Sequence, residues 1–238
     1  MRGALMSKVR ADAVRPTSPH LRERTHRMPL EIASVEVLSK SLRPCARYLK
    51  ARRFADIILV ILASPLCVVL ILLAGMGIAL TMGRPIFYSQ LRVGQGGRRF
   101  MAFKLRTMLP TGGEAVATCQ SDRRITGFGK VLRRWHVDEL PQFWNILRGD
   151  MTLIGPRPEW CPLAKRYSKH FPQYDIRHLV TPGLTGWAQV QQGNVATLED
   201  AALKAEYDLF YISNLSLSLD LRILFMTIVA LLNPKLSH

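Results

Sequence analysis

The stretch Ile57–Leu80, IILVILASPLCVVLILLAGMGIAL, is 24 residues long and carries no charge. As a straight helix it would reach about 36 Å, against roughly 30 Å of bilayer hydrocarbon. It starts too late for a secretory signal, and no A-x-A cleavage pattern follows it. It reads as a membrane segment. Both flanks are basic: Lys40, Arg43, Arg47, Lys50, Arg52 and Arg53 precede it, and Arg84, Arg92, Arg98 and Arg99 follow. The positive-inside tendency therefore draws both ends to one side. Ser64-Pro65 lies in the first third, where a proline removes a backbone donor and bends a helix. Taken alone, these residues leave two arrangements open: a crossing helix with a proline kink, or a bent helix that enters and leaves on one face.

Outward from this segment the chain divides into three parts. Residues 1–50 are a basic arm, with Pro16, Pro19 and Pro29 and little apolar periodicity apart from a short helical pattern at 30–38. Residues 51–83 are the membrane helix and residues 84–238 a mixed α+β domain. In that domain Pro85 to Gly97 and Arg99 to Met108 read as strands around the turn Gly94-Gln95-Gly96-Gly97. A loop is expected at 111–122 and helices near 129–136, 140–147 and 198–215. Gly155-Pro156-Arg157-Pro158 and Pro182-Gly183 mark turns. Leu217–Leu232, strongly apolar with only Asp220 and Arg222 charged, reads as a helix seated in the membrane interface.

The 238 residues hold 33 Lys+Arg and 17 Asp+Glu, a net charge of +16. Residues 1–53 contain 13 of the basic and 4 of the acidic side chains. Such a charge fits either a nucleic acid or the anionic phosphates of lipid and substrate. A nucleic-acid binder tethered to the membrane would need base-stacking aromatics among its basic residues, and the first forty residues contain no Phe, Tyr or Trp. An apolar fraction of 48% excludes wholesale disorder. Cys45, Cys67, Cys119 and Cys161 lie far apart with no CxxC pair, which points to reduced thiols in or facing the cytosol rather than a zinc site.

Chemistry concentrates at Asp138-Glu139. Structurally, Asp138 makes a good N-cap for a helix over 140–147, with Glu139 and Pro141 in its first turn. The same geometry would place two carboxylates beside free N–H groups, where they could hold Mg²⁺ or attack phosphorus. Lys104 and Arg106, two apart on one strand face, Arg133 and Arg134 before the pair, and Arg157 between two prolines are the types a diphosphate clamp needs.

The motifs occur together and in order. They are Arg53-Phe54-Ala55-Asp56, Ser64-Pro65, Phe87…Gln90-x-Arg92-x-Gly94, Phe103-Lys104-Leu105-Arg106-Thr107-Met108 and Arg124-Ile125-Thr126…Leu132-Arg133-Arg134. Asp138-Glu139-Leu140-Pro141-Gln142, Asn145…Gly149-Asp150-Met151 and Gly155-Pro156-Arg157-Pro158 follow, then Pro182 to Val190 and Tyr211-Ile212-x-Asn214-x-Ser216…Asp220. Over residues 50 to 232 the chain resembles the bacterial sugar transferases, the monotopic phosphoglycosyl transferases that start exopolysaccharide, capsule or glycan assembly.

The resemblance implies a re-entrant helix–break–helix at Ser64-Pro65 and a catalytic domain on the cytoplasmic face of the bacterial inner membrane. It implies that Asp138 attacks the β-phosphorus of a UDP-sugar, releasing UMP, and that polyprenyl phosphate resolves the phosphosugar-aspartyl intermediate. Glu139 then accompanies Asp138 in binding Mg²⁺, and Lys104, Arg133 and Arg157 bind phosphate or nucleotide; Arg106 is added to them by proximity. The partners implied are UDP-sugar, polyprenyl phosphate and anionic lipid, with no nucleic acid and a homo-oligomer left open. Two departures stand out: His136 occupies a position where the family usually has Ser or Thr, and the multi-span domain of longer relatives is absent from this sequence.

Overall fold

The computed structural model of the chain describes residues 42, 45–109, 122, 124–192 and 197–232. The arm with its pattern at 30–38, and all but the last residue of the loop at 111–122, lie outside the described residues.

Helix α1, Ala46–Met82, runs uninterrupted for 37 residues, starting before residue 51. The expected helix–break–helix is not seen, and the reason is local. Pro65 has no N–H to give the carbonyl of Ile61, four residues earlier. The Ser64 hydroxyl donates to that carbonyl instead, at 2.7 Å, so the orphaned acceptor is satisfied without breaking the helix.

Asp56, Val60, Cys67, Ala74, Gly75 and Ile78 are the buried residues of α1. Apart from the adjacent Ala74 and Gly75, their spacing of three, four and seven places them on one stripe. Leu62, Leu66, Leu72 and Leu80 stand out on the opposite side, each about two-thirds or more exposed. The stripe meets the rest of the molecule at both ends. Val60 packs with Phe100, Ala102, Ile146 and Met151, and Ala74 and Ile78 pack with Leu105 and Leu132.

Strands β1 (Phe87–Val93) and β2 (Arg99–Leu105) form an antiparallel hairpin in which Phe87 opposes Leu105 and Tyr88 opposes Lys104. Its turn uses positive φ at Gly96 and Gly97, which glycine adopts without a Cβ clash. Helices α2 (Gly127–Arg134) and α3 (Gln142–Arg148) flank a 3₁₀ turn at Val137–Glu139. A short parallel pair then joins β3 (Thr152–Ile154) to β4 (Gly183–Thr185). Between these strands lie α4 (Cys161–His170) and a 3₁₀ stretch at Pro172–Leu179.

The two turn signals of the sequence meet here. Gly155 N–H donates to the Thr185 carbonyl at 2.8 Å, and Gly183 N–H donates to the Pro156 carbonyl at 2.9 Å. A Cβ on Gly183 would lie 2.0 Å from the Gly155 nitrogen, so no side chain fits.

Helices α5 (Trp187–Gln191), α6 (Leu198–Ser213) and α7 (Leu217–Leu232) complete the domain. Thr197 and Asp200 form a capping box that starts α6. The largest core gathers Ile154, Tyr174, Ile176, Trp187, Leu209, Ile212 and Ile223. On α7, Asp220 and Ile223 are buried whereas Leu217, Leu221, Phe225, Ile228 and Leu232 are exposed at helical spacing. The outer face of this helix is thus apolar and its inner face partly charged.

That inner charge locks α7 to α1. Arg52 donates to the Tyr211 hydroxyl at 2.6 Å and to Asp220 at 3.3 Å, and Tyr48 donates to Asp220 at 2.5 Å. Thr152 donates to Asp56, and Arg53 donates to the Ile146 and Leu147 carbonyls at the end of α3. At the other end of α1, Arg106 caps the carbonyls of Met82 and Gly83, the former at 2.6 Å.

Candidate active site

The carboxylate pair is presented by a sharp change of direction. Helix α2 starts at its N-cap Thr126, whose hydroxyl accepts from Gly129 N–H at 3.0 Å, and ends at Trp135. His136 then takes φ +52°, a left-handed conformation in which His is enriched among non-glycine residues. Asp138 and Glu139 follow on the 3₁₀ turn, before α3. Asp138 is therefore not the N-cap of that helix; Pro141 occupies the N-cap position.

Asp138, Glu139, Gln142, Asn145 and Ile146 are all buried and mark the inward face of this stretch. Asn145 fastens that face to β2. Its amide oxygen accepts from Phe103 N–H at 3.2 Å and its amide nitrogen donates to the Met101 carbonyl at 2.8 Å. The next residue along the strand, Lys104, is thereby set against Glu139, with Nζ 2.6 Å from Oε1.

Arg157 closes on the same carboxylate from the opposite side. One guanidinium nitrogen donates to Oε2 at 3.1 Å and the other to Oε1. Arg157 is positioned in turn by buried groups outside the pair. Arg177 donates to the Arg157 carbonyl at 2.8 Å while pairing with Asp208 at 2.7 Å. Arg92 donates to the Pro158 carbonyl at 2.7 Å, and Glu159 binds Lys204 at 2.7 Å. Burial would push the Glu159 carboxyl upward, but Lys204 and Arg177 outweigh it and hold the group at about 2.

The two carboxylates of the pair differ sharply. Burial acts to raise Glu139, yet Arg157 and Lys104 overcome it and hold Glu139 well below the carboxylate range. For Asp138, burial and the neighbouring Glu139 charge prevail over Lys104, Arg133 and His136, and the carboxyl is pushed up. No hydrogen bond or ion pair reaches Asp138 among the described residues. The pair thus contains one anchored anion and one desolvated, unrestrained carboxylate, the form in which an oxygen nucleophile is most reactive.

The structure brings Lys104, Arg157, Asp138 and Glu139 together and leaves Arg133 beside them. Arg133 donates through Nε to Thr107 at 2.8 Å and acts on Asp138 by its charge. Arg106 is a correction. Residues two apart share a face only while a strand lasts; β2 ends at Leu105, and the Arg106 side chain turns to the end of α1. Sequence reasoning assigned no role to Arg177, Asp208, Glu159 or Lys204. Among the described residues no group of three or more His, Cys, Asp or Glu forms a metal cluster.

A family model described as bacterial sugar transferase matches residues 47–234, from the first turn of α1 past the end of α7. The chain is 42% identical over 194 residues to a UDP-N-acetylgalactosamine-undecaprenyl-phosphate N-acetylgalactosaminephosphotransferase of Aeromonas hydrophila, covering 81% of this chain and 46% of that one. It is 38% identical over 196 residues to a UDP-glucose:undecaprenyl-phosphate glucose-1-phosphate transferase of Xanthomonas campestris pv. campestris, covering 80% and 40% of the two chains. A protein of the same description from Caulobacter vibrioides is 40% identical over 185 residues, covering 76% and 69%. This chain therefore spans less than half of the first two relatives and about two-thirds of the third. A carboxylate pair of which Lys104 and Arg157 hold one member, on a domain built around an apolar helix, lies inside the region matched by the family model, and the chain belongs to the bacterial sugar transferase family.

Proposed function

We propose that the protein transfers a sugar-1-phosphate from a UDP-sugar to polyprenyl phosphate, giving polyprenyl-diphospho-sugar and UMP. The reading rests most directly on the asymmetry of the pair, Glu139 being held by Lys104 and Arg157 and Asp138 having no hydrogen bond or ion pair among the described residues. An Asp138 oxygen attacks the phosphorus that bears the sugar. The bond from that phosphorus to the bridging oxygen breaks, and UMP leaves with that oxygen. A phosphate oxygen of polyprenyl phosphate then attacks the same phosphorus, and the bond to Asp138 breaks, regenerating the carboxylate. Lys104 and Arg157 fix Glu139 and, with Arg133, offset the charge gathered around the phosphoryl centre, without which two anions repel.

Mg²⁺ fits this donor set. Asp138 keeps both oxygens and Glu139 Oε2 accepts a single bond, which suits an ion that takes one or two carboxylates plus substrate phosphates and water. When bound, Mg²⁺ would neutralise diphosphate charge.

We place the enzyme on the cytoplasmic face of the bacterial inner membrane, with α1 held in one leaflet rather than crossing. One domain packs against both Val60 and Ile78. A helix crossing the bilayer would carry one of those contacts away from the domain, so the double contact favours a helix lying within one leaflet. The apolar outer face of α7 then meets the same leaflet.

The reading is tested with the full chain in detergent, Mg²⁺, undecaprenyl phosphate and a panel of UDP-sugars. UMP release is expected with at least one sugar and should fall about 1,000-fold or more in Asp138→Asn. A phosphosugar adduct on Asp138, seen by intact mass when acceptor is withheld, establishes the covalent route. Release unaffected by Asp138→Asn overturns it.

A further inference from the structure

Gln142 is 3% exposed, and its amide nitrogen is buried without a hydrogen-bond partner among the described residues. Its neighbours along the inward face explain why. Glu139, three residues earlier, is held by Lys104 and Arg157; Asn145, three residues later, is held by the β2 backbone. Neither turns to Gln142, which stands one 3₁₀ turn after Glu139, the neighbour of Asp138, because Leu140, Phe143 and Trp144 each donate to the carbonyl three residues earlier. A buried amide donor left unmade costs about 1–3 kcal/mol. Methionine would fill the same volume at that position with no polar group to strand.

We infer that the Gln142 side-chain amide donates to an oxygen of the phosphoryl group being transferred, making Gln142 a catalytic residue beside Asp138. The inference rests on the transferase reading, which brings an anionic phosphoryl group to Asp138. That group is the acceptor the described residues do not provide. The amide supplies a neutral N–H where Lys104 and Arg157 are already committed to Glu139, so a phosphoryl oxygen gains a donor without competition from the anchoring pair.

Gln142→Met keeps the volume and removes the donor. In the full chain, assayed with the UDP-sugar giving the fastest UMP release, kcat/KM is expected to fall about 100-fold. The thermal midpoint should hold or rise, because an unpartnered polar group has been removed. A residue that only packs would show the reverse, with activity lost in step with stability. The inference is overturned if Gln142→Met stays within twofold of wild type, as it would if the amide held only a buried water, or if activity and midpoint fall together. Should the methionine variant not fold, Gln142→Leu, uncharged and lacking the donor, decides by the same comparison. Asp138→Asn is run in parallel. No UMP release from wild type, or undiminished release from Asp138→Asn, defeats the transferase reading; a normal Gln142→Met beside a dead Asp138→Asn defeats this inference alone.

Discussion

Glu139 accepts from Lys104 and twice from Arg157, so its removal strands two cations, whereas Asp138 has no hydrogen bond or ion pair among the described residues. The two positions should therefore part in stability. Glu139→Ala is expected to cost about 3 kcal/mol, because breaking a buried pair leaves its partner charges uncompensated. Asp138→Asn replaces a desolvated carboxylate by a neutral group and should leave the thermal midpoint unchanged or raised; differential scanning of both variants checks this. A second residue reports pH. His178, next to Arg177 and against Tyr174, is held down to about 4, chiefly by burial and next by the Arg177 charge. Its folded pKa lies below the unfolded value of 6.5, so the folded state favours neutral imidazole. Stability linked to this group is complete above about pH 6.5 and is lost as pH falls towards 4, at up to about 1.4 kcal/mol per unit. His178→Gln should flatten the denaturation midpoint across that interval. Asp138, Glu139, Lys104 and Arg157 were legible because the resemblance attaches roles to them. Arg177 and Asp208 were not: 31 residues separate them, and only the packing of α6 on the 3₁₀ stretch makes them a pair.

At the scale of elements, α1 survives Pro65 because Ser64 serves the carbonyl that proline leaves without a donor. The two residues should then be coupled. Ser64→Ala is expected to cost about 1 kcal/mol in the wild-type background and close to nothing in Pro65→Ala, where a backbone N–H returns to Ile61. Thermal unfolding of the two single variants and the double variant measures the difference. The same device explains the part of α1 that sequence reading misjudged: a proline signals the loss of one hydrogen bond, but the compensating hydroxyl next to it is read only when its target is known. Other elements were plain. A strand-like run into a Gly-rich turn drew β1, alternation drew β2, and apolar spacing drew α6 and α7. The β3–β4 pair has three residues per strand, too few for a period to show. Its register depends on Gly155 meeting Gly183 across a long excursion.

Across the molecule, the basic charge flanks an apolar helix whose two ends rest on one body. Single cysteines at Lys50 and Arg98, in a background without Cys45, Cys67, Cys119 and Cys161, should both react with an impermeant maleimide in inside-out membrane vesicles. Neither should react in right-side-out vesicles; labelling of the two from opposite sides would mean that α1 crosses. The fixing of α1 at both ends also orders events during synthesis. Arg52 leaves the ribosome 168 residues before Asp220, about ten to thirty seconds at bacterial elongation rates. Throughout that interval an arginine at the rim of an apolar helix waits for the carboxylate that will hold it. On the proposed membrane placement, anionic headgroups would be its interim partner, and the lipid surface would serve as a temporary scaffold on which α7 completes the fold.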